Sequence, residues 1–211
     1  MKTRVDYSRI ARRYDRTRRL YTIPQEPLID ELCRGDSAVA GPDDLVRILD
    51  IACGTGNWLE VQQSHHASLG AEWVGLDSSP EMLAVAAAKL KGVKLTNGTA
   101  EALPFDDDSF SLAACSFAVH HFDDRRRFPT DRELLDLMHS AGFRAEITVT
   151  VHTKPFDTAA LLAEAHNRDM SQLNLISDSE YRRGIEQLQR NPKYIGSIAL
   201  LRCVAYCPVA G

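Results

Sequence analysis

The chain has 211 residues, of which 44% are hydrophobic and 26% charged, and a formal net charge of -4. That size fits a single domain with small additions, and the composition excludes a collagen-like, low-complexity or wholly disordered chain. The acidic balance argues against bulk attraction to nucleic acid.

The opening MKTRVDYSRIARRYDRTRRL lacks the apolar centre of a secretory signal. Asp6 and Asp15 also interrupt the acid-poor pattern of a transit peptide. Residues 8–20 read as a helix with Ile10, Tyr14 and Leu20 as apolar points. Its basic residues read as a solvated face, with anion, nucleic-acid or membrane-surface binding as the functional alternative. A second helix follows Pro24 and Pro27 and stops near Gly35. Residues 45–51 are the first strong strand, and a helix should run over 57–68. The strand 72–77 leads through Pro80 into an alanine-rich helix ending near Leu90. Strands are expected at 93–97 and, after the turn Asp106-Asp107-Asp108, at 109–116. Thr130 and Glu133 have capping-box spacing, opening a helix that Gly142 should end. Residues 143–151 alternate as a strand, Ser177 and Glu180 form a second capping box, and 198–206 read as a terminal strand. Strands alternating with helices imply an α/β fold with a mainly parallel sheet. Trp58 and Trp73 read as packing residues. No stretch of about 18 apolar residues is present, so no membrane span is expected. The five cysteines form no CxxC pair, which points to free thiols, a cytoplasmic location and no metal site.

The sharpest motif is Asp50-Ile51-Ala52-Cys53-Gly54-Thr55-Gly56 at the end of the first strand. Glycines there permit a tight turn and close backbone approach by a ligand. Asp77, about 20 residues further on, ends the second strand, where a carboxylate can accept hydrogen bonds from ribose hydroxyls. Leu59 stands where the third glycine of GxGxxG would be. That departure disfavours a dinucleotide. Asp50 would repel a pyrophosphate but suit a cationic amino-acid ligand.

These residues, with Pro80-Glu81-Met82-Leu83, Ala100-Glu101-Ala102-Leu103-Pro104-Phe105 and His120-His121-Phe122, resemble class I S-adenosylmethionine-dependent methyltransferases. The similarity is greatest to the small-molecule branch that includes ubiquinone and menaquinone biosynthesis enzymes. Tyr7, Ala11, Tyr14 and Asp15 resemble that group's leading helix. The resemblance covers about residues 5–128, with a weaker echo at 140–143. It implies a Rossmann-like sheet flanked by helices and S-adenosyl-L-methionine as cofactor. By the resemblance, Asp50, Ala52, Gly54 and Gly56 would hold the methionine portion, and Tyr14 would close over it. Asp77 would bind the ribose. Ser78 and Met82 would flank the adenine, Thr99, Ala100 and Glu101 would lie near its edge, and Ser116 and Phe117 would line the inner wall. The family often has Asp where Thr99 stands.

Methyl transfer from a sulfonium is an in-line displacement, so orientation supplies much of the acceleration. His120 and His121 are the candidate general bases, with shaping of the pocket as their other role. The acceptor is expected to be a small molecule, without nucleic acid and with self-association open. The implied organisation is one domain: a helical cap over 1–44, a cofactor core over 45–128 and C-terminal helices and strands over 129–211. A cofactor-binding protein without turnover is the runner-up, and a nicotinamide-dependent dehydrogenase the third reading.

The family pattern after Phe122 normally continues through a helix, a Leu-Arg-Pro-Gly-Gly type of turn and a fifth strand. Here only residues 123–128 intervene before Pro129-Thr130. Either 143–151 fills the vacant place, or the chain is a shortened relative, or residues 128 and 129 are not adjacent in the intact protein. A missing strand would leave the fourth strand's edge unpaired.

Overall fold

A computed structural model describes residues 7, 10–18, 29, 45–119, 129–156, 158–166, 176–190 and 194–206. Its contacts fall into two compact units, Met1–Asp124 with Asp169–Leu175, and Arg125–Arg168 with Ile176–Gly211.

In the first unit, β1 (Arg47–Ile51) runs between two parallel neighbours. Ile48, Leu49 and Asp50 are all buried, as expected of a central strand covered on both faces. Alternation sends Ile48 and Trp73 into one core with Trp58 and Leu59, while Leu49, Val74 and Leu76 pack together against Phe105 and Phe110. Each such fully buried aliphatic chain contributes about 1.5–3 kcal/mol. The tryptophans are packing residues, as their patterns indicated.

The other strands are β2 (Glu72–Asp77), β3 (Val93–Asn97) and the short β4 (Leu112–Ala114), in the order β3-β2-β1-β4. The chain therefore steps outward from β1 to β3, then returns to the other side of β1. Ligands of such sheets bind at the carboxyl ends where the order reverses, here between β1 and β4. The fourth strand is shorter than the expected 109–116. Helix α1 is Ala11–Arg18, inside the expected 8–20. α2 (Asn57–His65) also ends early and hands over to a 3-10 turn at Ala67–Leu69. α3 (Pro80–Lys89) starts with its proline in the first turn.

Close contact of α2 with the sheet does not use a third glycine on the helix. It uses Gly75 of β2, where an added Cβ would come within 2.9 Å of Cys53 Sγ and 3.0 Å of Leu59 Cδ1. The strand supplies the missing space, and Leu59 fills it.

In the second unit, α4 (Asp131–Ser140) opens on a capping box: Thr130 Oγ1 accepts from the Glu133 amide, and Glu133 accepts from the Thr130 amide at 2.8 Å. It closes at Gly142, whose φ of 88° lets the Phe143 amide reach the Met138 carbonyl. β5 (Arg144–Phe156) pairs antiparallel with β6 (Tyr194–Tyr206), and α4 packs on both. Both strands are longer than expected. Of the three alternatives for the shortened middle, the one in which 143–151 joins the parallel sheet is not what the described residues show: Arg144–Phe156 pairs with β6 in a separate two-stranded sheet. A long antiparallel partner satisfies the strand's backbone groups more fully than a three-residue edge could. Among the described residues β4 pairs with β1 alone. Helices α5 (Thr158–His166) and α6 (Asp178–Arg190) are tied by the Tyr181 hydroxyl, which donates to the Ala165 carbonyl at 2.7 Å. The Ser177–Glu180 capping box precedes α6.

Candidate functional site

The turn after β1 is built from left-handed residues. Ala52, Gly54 and Gly56 have φ of 57°, 56° and 75°. The two glycines serve different ends. A Cβ on Gly56 would lie 2.5 Å from Leu90 Cδ1, so that glycine permits packing. A Cβ on Gly54 would meet none of the described residues within 4 Å. The open side of the turn is therefore at Gly54, where a ligand can approach the backbone.

Two carboxylates sit under this turn. Asp77 Oδ2 accepts from the Gly54 amide and Oδ1 from the Ser79 amide, each at 2.8 Å. Burial raises the Asp77 pKa, and hydrogen bonds from the backbone of Ser79, Gly54 and Ser78 oppose the rise. Each oxygen retains acceptor capacity. Asp50 differs: it is 1% exposed, and neither carboxylate oxygen has a hydrogen-bond partner among the described residues. Burial, followed by the charge of Asp77, pushes its pKa well above the usual carboxylate range. An unpartnered buried carboxylate is costly, so a cation or protonated amine at its side is the ligand it favours. S-adenosylmethionine has both a sulfonium and an ammonium group, and this donor set fits it.

The segment 98–102 is strapped to the end of β2. The Gly98 amide and Asn97 Nδ2 both donate to the Asp77 carbonyl, and Ala102 bridges to Thr99. Thr99, Ala100 and Glu101 thus follow directly on the residue whose amide reaches Asp77. Ser78 is exposed, whereas Met82 is buried against Ile10 and Ala11 of the leading segment. Ser116 and Phe117 follow β4, across the switch point from the turn, and Phe117 has a φ of 58°. Tyr14 is half-buried beside Tyr7 on the leading helix, with ring centroids 6.4 Å apart. His120 and His121 lie outside the described residues. His166 is exposed, its Nδ1 2.6 Å from the Leu162 carbonyl oxygen. Sequence reasoning missed Ser79, which caps α3 as well as serving Asp77. It also missed a polar cluster of Asp15, Thr55, Asn57 and Lys89. Asp15 figured in the sequence only as an acid within the basic opening and as part of the leading-helix resemblance.

Residues 48–142 match the methyltransferase-domain family. A demethylmenaquinone methyltransferase of Chlorobaculum tepidum is 42% identical over 78 residues, 37% of this chain and 31% of that protein. One from Staphylococcus aureus is 31% identical over 121 residues, 56% of this chain and 48% of that protein. The matched stretches cover less than half the length of either relative. In fold, the chain is similar to a protein of Anabaena variabilis assigned as a methyltransferase from an antibiotic biosynthesis pathway. The TM-score is 0.59 at 16% identity, covering 80% of this chain and 86% of that one. Residues 48–142 are thus similar in sequence to the methyltransferase-domain family, and the fold is similar to that of the Anabaena variabilis protein.

Proposed function

We propose that the chain transfers a methyl group from S-adenosylmethionine to a small-molecule acceptor. The observation that carries this reading is the buried carboxylate of Asp50, without a hydrogen-bond partner among the described residues, in the strand that leads into the Gly54 turn. Bound there, the cofactor would supply an electrophilic methyl on a cationic sulfur. The chain's own residues bind and orient. Asp50 offsets positive charge, Asp77 accepts from the ribose hydroxyls with its remaining lone pairs, and Thr99, Ala100 and Glu101 border the adenine. Ser78 and Met82 flank it, Ser116 and Phe117 form the opposite wall, and Tyr14 covers the methionine end. Holding donor and acceptor in line is worth up to about 7–11 kcal/mol of the barrier. His120 or His121 takes the acceptor's proton where the acceptor must lose one.

The relatives' names direct the acceptor search to quinols, tested beside phenols, amines and thiols. The chain is read as one functional domain in the cytoplasm. The unpaired edge of β4 among the described residues favours self-association. Calorimetry with S-adenosylhomocysteine and with NAD tests the cofactor: tight NAD binding without a response to S-adenosylhomocysteine overturns the reading. Binding of S-adenosylmethionine without methyl release on any acceptor leaves a cofactor-binding protein instead. Intact mass tests whether residues 128 and 129 are adjacent, close to the boundary between the units at Asp124 and Arg125.

A further inference from the structure

A second constellation lies beside the turn and uses none of the cofactor residues. Its centre is Asp15 of α1. Asp15 Oδ1 accepts from Thr55 Oγ1 at 2.5 Å and from Asn57 Nδ2 at 3.0 Å, and Oδ2 accepts from Lys89 Nζ at 3.1 Å. Lys89, at the end of α3, also donates to Asn57 Oδ1 and lies 3.5 Å from Glu60. One carboxylate thus joins three helices and the turn between Gly54 and Gly56.

We propose that Asp15 and Lys89 form a latch that seats the leading helix α1 across the Gly54–Gly56 turn and the start of α2, and so holds the methionine end of bound cofactor. This rests on the reading of the site as one for S-adenosylmethionine.

Three features carry it. First, Thr55 is 1% exposed and sits inside the turn itself, so its bond to Asp15 couples the helix to the backbone that meets the ligand. Second, the residue preceding α2 is Gly56, which has no side chain to cap the helix. Asp15 brings the negative charge that this end favours. Although burial opposes ionisation, hydrogen bonds from Thr55, Lys89 and Asn57 and the charge of Lys89 hold the Asp15 carboxyl below the usual range. Third, α1 has eight residues, too few to be stable alone, and among the described residues it is also anchored by a small apolar cluster of Ile10, Ala11 and Met82 with Tyr7, Tyr14 and Val85. Loss of the latch would leave that cluster and the core intact while freeing the polar side of α1. Tyr14, next to Asp15 on the same helix, would move with it.

Asp15 and Lys89 are positioning residues, and the test separates retention from folding. Release of S-adenosylhomocysteine is followed by stopped-flow fluorescence of the tryptophans in the full chain, for the wild type, Asp15→Ala, Lys89→Met and Lys89→Arg. Asp15→Ala and Lys89→Met are expected to release it about tenfold faster, and Lys89→Arg to restore near-wild-type release. Affinity for adenosine, which lacks the amino-acid end, should stay within about twofold in all variants. Raising salt from about 50 to about 500 mM should speed release from the wild type but not from Lys89→Met. Hydrogen exchange of the α1 amides should rise in Asp15→Ala while β1 and α2 remain protected. Unchanged release in both variants overturns the latch alone. Equal losses for S-adenosylhomocysteine and adenosine reduce the cluster to a fold-stabilising role and also overturn it. A wild type that binds adenosine and S-adenosylhomocysteine no better than unrelated nucleosides overturns the cofactor reading and the latch with it.

Discussion

Asp50→Asn should make the free protein more stable and its ligand binding weaker. In the folded chain the Asp50 carboxyl is fully buried, lacks a donor among the described residues and faces the charge of Asp77. Its pKa is therefore raised on folding. A group of this kind contributes no penalty below the ordinary carboxylate range, where it is protonated in both states. The penalty grows as pH rises from that range through the raised folded value. Leaving such a group ionised and unpartnered costs about 1–3 kcal/mol or more. Asn removes the charge with little change in size. Asp50→Asn should thus melt close to the wild type near pH 3, below the ordinary carboxylate pKa. It should melt higher at pH 8–9, by about 2–4 °C for each kcal/mol in a chain of this length. Binding runs the other way. A cationic ligand favours ionised Asp50, so wild-type affinity for S-adenosylmethionine should strengthen as pH rises toward the raised pKa. Affinity of Asp50→Asn should be flatter with pH and weaker by about tenfold or more. The assays are thermal unfolding and calorimetry at matched pH values. Parallel melting curves for the two proteins across pH, or equal affinities at pH 8, would refute the reasoning.

The two glycines of the turn should separate stability from binding. Gly56→Ala combines a φ of 75° with a clash on Leu90 and should cost at least about 1–3 kcal/mol in denaturant melts, from strain and overpacking. Gly54→Ala has the strain without the clash, so it should cost about 1–2 kcal/mol while reducing cofactor affinity more than Gly56→Ala does per unit of stability lost. Thr130→Ala removes the side-chain half of the α4 capping box and should cost about 1 kcal/mol in the same melts. Burial and then the charge of Asp50 push the Cys115 thiol up to about 12, and Cys53 is shifted in the same direction by burial and then by Asp50 and Asp77. Neither should be alkylated quickly by iodoacetamide at pH 7.5 in the folded chain, and mass spectrometry of timed samples would show rapid labelling if the thiols were exposed.

Local signals proved legible where the cause is local. β2 and β3 lie on the expected residues because their apolar patterns are framed by turn residues. The positive φ of Gly54 and Gly56, the proline at the start of α3 and the capping box of α4 follow from the chemistry of individual residues. The ends of α2 and β4 were read too long, because the hand-over to the 3-10 turn and the reach of strand pairing depend on neighbours that periodicity does not name.

The order of strands and helices, the glycine turn, and carboxylates at the ends of β1 and β2 were written in the residues themselves. They needed only backbone sterics and side-chain period. Tertiary structure decided that Gly75 rather than a third helix glycine makes room for Leu59, that β5 takes β6 as its partner, and that Asp15 reaches Thr55 and Lys89. It also decided that Asp50 is buried without a hydrogen-bond partner among the described residues while Asp77 accepts from the Gly54 and Ser79 amides. Each of these depends on which distant segments meet, and burial and hydrogen-bond partnership exist only once they have.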